Sequence, residues 1–114
     1  MPTTPPSTVD RARLSRLMAE ESDRFRTAHP RSAELFEQAK HSLLDGVPMN
    51  WMSEWASPFP LFVDTASGAS FRCVDGHDYV DFCLGDTGAM AGHGAAPTIA
   101  AVERQMRRGL STNY

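Results

Sequence analysis

An α+β fold is predicted for this 114-residue chain by three observations. Apolar residues recur at helical spacing from Asp10 to Gly46. They switch to a two-residue alternation between Leu61 and Leu84, and return to helical spacing after Pro97. Helical and strand patterns that are segregated along a chain, rather than interleaved, indicate helices packed to one side of an antiparallel sheet.

Residues 1–8 hold three prolines and three threonines and cannot bury enough apolar surface to order themselves, so they read as a flexible lead. From Asp10, Leu14, Leu17, Met18 and Phe25 form one stripe of a first helix, flanked by Arg13, Arg16, Glu20 and Asp23. That helix should stop near His29, because a residue before proline avoids helical dihedrals. A second helix, opened by Pro30 or Ser32 and closed by Gly46, turns Leu35, Phe36, Ala39 and Leu43 inward. The following stretch, VPMNWMSEWASPFP, is too rich in tryptophan and methionine for a solvent loop and should be covered by something.

Strands are expected at Leu61–Asp64, Ser70–Val74 and Tyr79–Leu84, joined by turns at Ala66-Ser67-Gly68 and Asp75-Gly76 into a three-stranded meander. With the second turn centred on Gly76 and His77, Cys73 would lie opposite Val80 and Cys83 on the other face. No disulfide is then expected, and two thiols suit a reducing compartment. Glycines at 85, 88, 92 and 94 lead to a last helix with Pro97 in its first turn and Ile99, Val102 and Met106 as its stripe, ending at Gly109. The domain reading is therefore a lead (1–8), a helical arm with its Trp/Met loop (9–60), and a meander, glycine loop and helix (61–114).

Composition excludes several functions. Ten arginines and one lysine stand against fourteen carboxylates for a net charge of −3, so no nucleic-acid partner is implied. No apolar run approaches the ~18 residues of a membrane helix, and MPTTPPSTVDR lacks the apolar core of a secretory signal. A soluble, cytoplasmic protein is expected.

Motif chemistry is sparse. No lysine follows Lys40, so the glycine stretch is no phosphate loop of the Gly-Lys-Ser/Thr kind, and Pro97 falls where a dinucleotide fingerprint needs its third glycine. The simplest role for these glycines is to let the backbone turn and approach a neighbouring surface closely. His29, His41, His77 and His93 sit on four separate elements and read as caps or surface residues, and no metal site is expected. Asp75 belongs to a turn, while Asp78 and Asp81 read as solvent-facing strand positions.

One combination is more informative. The run VDGHDYVDF, then Gly92-His93, then Pro97-Thr98-Ile99-Ala100-Ala101-Val102, resembles the N-terminal region of class III pyridoxal-phosphate-dependent aminotransferases. The nearest subgroup contains glutamate-1-semialdehyde aminomutase and related amino-acid transaminases. There the segment reads approximately Asp-Val-Asp-Gly-Asn-x-Tyr-Ile-Asp-Phe, then Gly-His-x-His-Pro, then a helix. LFEQAKHSLLDGVP resembles the preceding Leu-Phe-Glu-x-Ala and Pro-Gly-Gly-Val segments, so the likeness spans about residues 32 to 110.

This resemblance implies part of a fold-type I enzyme, a homodimer of much longer subunits, that acts on a small-molecule amino substrate. It also implies that pyridoxal 5′-phosphate is held in a large domain further along the chain by a Schiff-base lysine, an aspartate and a phosphate cup. The 114 residues by themselves are then expected to bind no cofactor and to contain no catalytic residue. Lys40, near Phe36 and Glu37 on a helix, reads as a surface residue. By the family's substrate-facing loops, Trp51, Met52, Asp86 and Thr87 are the substrate-binding candidates. The aminomutase carries an arginine where Met52 stands and a tryptophan where Asp86 stands, which favours a transaminase of another amino donor. The alternative from a different class is a free-standing interaction module that docks its helices and Trp/Met loop on a partner protein.

Overall fold

The computed structural model describes residues 9–85 and 88–109. They divide into two compact units, Met1–Pro60 and Leu61–Tyr114. The proline-rich lead and the last five residues lie outside the described part.

In the first unit, α1 spans Arg11–Ala28. The Asp10 side chain accepts the Arg13 N–H at 2.9 Å and so satisfies one of the unpaired donors of the first turn. Ion pairs one turn apart, Glu21–Arg24 and Asp23–Arg26, line its solvent side. The helix ends at His29, as the following proline requires. The buried His29 ring bonds the Phe25 carbonyl through Nδ1 at 2.8 Å, which closes the junction to α2, Pro30–Ala39, with Ser32 fully buried behind it.

α2 is shorter than the sequence pattern predicts. After Ala39 the chain unwinds through residues 40–43 and makes a 3-10 turn at Leu44–Gly46. Asp45 (φ 54°) and Gly46 (φ 71°) are consecutive left-handed residues, which no right-handed helix accommodates. Leu43 is consequently exposed, not inward-facing.

The unexpected core residues come from the loop. Among the described residues Val47 (4% exposed) and Phe59 (8%) are the unit's buried apolar side chains, and the Phe59 ring lies 5.1 Å from Phe25 and 6.3 Å from Phe36, centroid to centroid. The 47–60 stretch is thus fully covered at Val47 and Phe59 and half-covered at Met52. Between them Trp51 and Trp55 meet edge-on at 5.6 Å and stay substantially exposed, as do Leu14, Leu17 and Met18 on α1.

The second unit is the antiparallel meander β1 (Val63–Ser67), β2 (Ser70–Cys73), β3 (Asp78–Val80), in that spatial order, followed by α3 (Ala96–Met106). Three helices and this sheet make the α+β fold that the periodicities predict. The first turn is tighter than expected. Ala66 and Ser67 are strand residues, and Ser67 pairs with Ser70 across a two-residue loop that opens on Gly68 (φ 57°), the glycine-first pattern that suits the strand twist. A register shift between Val63 and Thr65 places a bulge near the start of β1.

The second turn also differs. Arg72 faces Asp78 and the Cys73 N–H bonds the His77 carbonyl, so Cys73 lies opposite His77 and not Val80. Three residues, Val74 to Gly76, form the loop, and Gly76 takes the left-handed position (φ 86°). Cys73 is buried and Cys83 exposed, with no disulfide between them. One sheet face carries Ala66, Phe71 and Tyr79 in cross-strand register, the two rings stacked at 5.1 Å. On the other, Arg72 makes two 2.7 Å bonds to Asp78.

β3 stops at Val80, well short of the expected Leu84. Asp81 explains why. Its side chain accepts the N–H groups of Cys83 (2.9 Å) and Leu84 (2.8 Å), which diverts the backbone from the ladder into a turn. Leu84 is left-handed (φ 52°), and Phe82 is 96% exposed. In α3, Pro97 sits in the first turn as predicted, while Ile99, Val102 and Met106 are about half exposed.

Candidate functional site

The four sequence candidates fall in two places. Trp51 and Met52 lie on a 3-10 turn, Asn50–Glu54, in the first unit. Met52 is half-buried and lines a small cleft of about 60 Å³ with Phe36, Val47, Pro58 and Phe59, so its side chain packs against the aromatic core. Trp51 (39% exposed) presents much of its indole to solvent beside Trp55. Asp86 and Thr87 lie outside the described residues, though both flanks of their loop are described.

Those flanks form a clamp that sequence reasoning missed. Asp81 and His93, read as a solvent-facing strand residue and a cap or surface residue, meet side chain to side chain. His93 Nε2 lies 2.6 Å from Asp81 Oδ2, and neither side chain exposes more than a quarter of its surface. The other carboxylate oxygen holds the Cys83 and Leu84 amides, and the Asp81 N–H reaches the Ala69 carbonyl at 2.8 Å. His93 in turn pairs its backbone with the hairpin tip in both directions, Gly68 N–H to His93 carbonyl at 2.9 Å and His93 N–H to Gly68 carbonyl at 2.8 Å.

Gly92 makes this approach possible. A Cβ there would lie 3.3 Å from the Gly68 Cα and carbonyl oxygen, and its φ of 89° already disfavours any other residue. Close backbone approach is therefore what this glycine supplies. The one sequence signal was Asp81 itself, since aspartate at a strand end binds the backbone two and three residues on and starts a turn.

Hydrogen bonds from the His93 ring, then from the Leu84 and Cys83 amides, hold the Asp81 carboxyl below the usual carboxylate range. Such a group stabilises the fold above its unfolded value, and that contribution disappears as pH falls through the lower folded value. The expected outcome is that the Cys83 and Leu84 amide shifts titrate together, with a midpoint below that of an unpaired aspartate. Following both amides by NMR during acid titration checks this, with Asp81→Asn abolishing the step.

The chain's own residues do not fit the role of a cofactor anchor. Lys40, its single lysine, has its amine 2.6 Å from Glu37 and 4.5 Å over the Phe36 ring, at the surface. No cluster of three or more metal-ligating side chains occurs among the described residues. No helix among them is long and apolar enough to cross a membrane.

No family model matches the chain. Among curated proteins, glutamate-1-semialdehyde 2,1-aminomutase 1 of Cenarchaeum symbiosum (strain A) is 40% identical over 78 residues, 68% of this chain. The glutamate-1-semialdehyde 2,1-aminomutase of Methanocaldococcus jannaschii is 38% identical over 79 residues, 69% of this chain. The chain spans 18% of the length of either relative. Among solved structures, a glutamate-1-semialdehyde aminomutase variant from Pseudomonas aeruginosa PAO1 in complex with PMP superposes with a TM-score of 0.86 and 42% identity, over 93% of this chain and 23% of that one. A β-phenylalanine aminotransferase from Variovorax paradoxus gives a TM-score of 0.76 at 28% identity, over 88% of this chain and 24% of that one.

Fold and sequence together thus define a segment of the pyridoxal-phosphate-dependent aminotransferases of class III. Within that family the chain corresponds to the N-terminal portion of the subgroup that includes glutamate-1-semialdehyde aminomutase.

Proposed function

We propose that this chain is the N-terminal portion of an aminotransferase that moves an amino group between an amino acid or amine and a keto acid or aldehyde. The observation that carries this reading is the superposition of 93% of the chain on a PMP-bound aminomutase at 42% identity. Pyridoxal 5′-phosphate is then the cofactor, held by residues outside these 114, because Lys40 is engaged elsewhere. A cytoplasmic, homodimeric enzyme of fold type I goes with this reading. Residues 9–60 serve as its arm and Trp/Met loop, and residues 61–114 as part of its small domain.

Within that enzyme Trp51, Met52, Asp86 and Thr87 contact the substrate. Met52 and Asp86 replace the arginine and tryptophan of the aminomutase pattern, so the amino donor differs from glutamate semialdehyde. The free-standing interaction module is not favoured, since the likeness to the transaminases runs through both units.

Two measurements test the proposal together. Pyridoxal phosphate mixed with the isolated chain is expected to give no protein-bound absorbance band and no turnover, whereas a longer polypeptide carrying the segment transaminates. Asp86→Ala in the longer protein should lower kcat/KM for the preferred donor by about tenfold, the order of one net hydrogen bond. A band and turnover from the isolated chain would overturn the assignment of the cofactor site, and an unchanged donor preference would remove Asp86 from the pocket.

A further inference from the structure

We propose that Asp81 and His93 are positioning residues that fix both ends of the glycine loop against the Gly68 hairpin tip. The geometry converges from three sides. At the leading end, Asp81 Oδ1 takes the Cys83 and Leu84 amides and bends the chain into the left-handed Leu84. At the trailing end, Gly92 lets His93 close on Gly68 with two backbone bonds. The 2.6 Å Oδ2–Nε2 contact then ties the two ends together across twelve residues of sequence.

Each part alone is an ordinary turn. Joined, they restrain the segment between β3 and α3, whose described residues make local backbone bonds such as Gly88 to Gly85, Ala89 to Leu84 and Gly92 to Ala89. Restraining the two ends removes the closure part of the loop's conformational freedom before any ligand arrives, which favours placing its groups reproducibly. The neighbouring Arg72–Asp78 pair differs, since at 2.7 Å it is nearly as short but mostly exposed, and it braces adjacent strands.

The functional part of this inference rests on the aminotransferase reading, in which the loop faces substrate. Neither Asp81 nor His93 touches the reacting groups in this scheme. They act through the backbone they hold.

The test uses the complete enzyme carrying this segment, with four variants: Asp81→Ala, His93→Ala, the double variant, and the conservative His93→Gln, whose amide can still donate to Asp81. Amide hydrogen exchange at Leu84 and Gly68 is expected to accelerate about tenfold in each alanine variant. The double variant should be no worse than Asp81→Ala alone, because that substitution already removes the contact shared with His93 along with the Cys83 and Leu84 amide bonds. In the same proteins kcat/KM should fall about tenfold or more through misplacement of the loop, while the cofactor absorbance stays unchanged and His93→Gln restores most of the loss.

Additive losses in the double variant, or unchanged exchange, would overturn the clamp. Accelerated exchange with unchanged kcat/KM would overturn its role in positioning and leave the aminotransferase reading intact. A wild-type enzyme without transaminase activity would overturn that reading, and with it the functional half of the inference, while the exchange data still decide the clamp.

Discussion

Phe59→Ala is expected to remove about 3–5 kcal/mol from the first unit, the usual range for deleting a buried aromatic ring. Phe59 is the side chain on which Phe25 of α1 and Phe36 of α2 converge, at 5.1 and 6.3 Å between centroids, so its loss empties the place where both helices meet the loop. Little else is available to refill it. Among the described residues Val47 is the unit's other buried apolar residue, and Leu14, Leu17 and Met18 of the α1 stripe lie on the surface. A small domain has a total stability of about 5–15 kcal/mol, so the loss approaches the lower end of that range. Denaturant unfolding followed by tryptophan emission measures it. Phe59→Leu, which keeps most of the volume, should lose no more than about 1.5 kcal/mol. A loss below about 1 kcal/mol for the alanine variant would show that Phe59 is not the centre of this core.

Gly46→Ala is expected to destabilise the same unit by a different route. The backbone there has φ 71°, so any side chain meets a left-handed penalty of about 1–2 kcal/mol. The new methyl would also lie 2.7 Å from Phe36 Cε2 and 3.0 Å from Lys40 Cγ. The Lys40 stem can swing away, but Phe36 is held against Phe59, so overpacking adds about 1–3 kcal/mol. Gly76→Ala separates the two contributions. Its φ is 86°, yet nothing lies within 4 Å of its Cβ position, so it should show the backbone penalty alone. Comparing the unfolding free energy that each substitution removes from its own unit reads the steric part as the difference of the two losses, and equal losses would remove it.

Much of this was legible because local chemistry decided it. The stop of α1 follows from His29-Pro30, the start of α3 from Pro97, and the meander from period-two alternation broken by glycine. The misplaced boundaries share one cause, which is a side chain or dihedral that overrides an apolar pattern. Leu43 kept helical spacing, but Asp45 and Gly46 turned left-handed. Phe82 and Leu84 kept strand alternation, but the Asp81 carboxylate captured the backbone amides that would have continued the ladder. Phe59 was hidden in a segment without periodicity, where burial depends on which helices happen to converge on it. The Asp81–His93 contact was the least legible, because a pairing across twelve residues leaves no trace in spacing. The family likeness came from residues that shape backbone, and for that reason it placed the chain in a family without showing which side chains do its chemistry.

The bridge between Gly68 and His93 also bears on how the chain assembles. Each hairpin of the meander closes over two or three residues, whereas this bridge closes over about twenty-four, and each doubling of a loop adds about 0.6 kcal/mol of lost chain entropy. Three doublings make its closure about 2 kcal/mol harder than a hairpin's. On a ribosome, moreover, Gly68 emerges well before its partner. The sheet can therefore zip while the partner is still being synthesised, and the clasp that orders the loop closes after it.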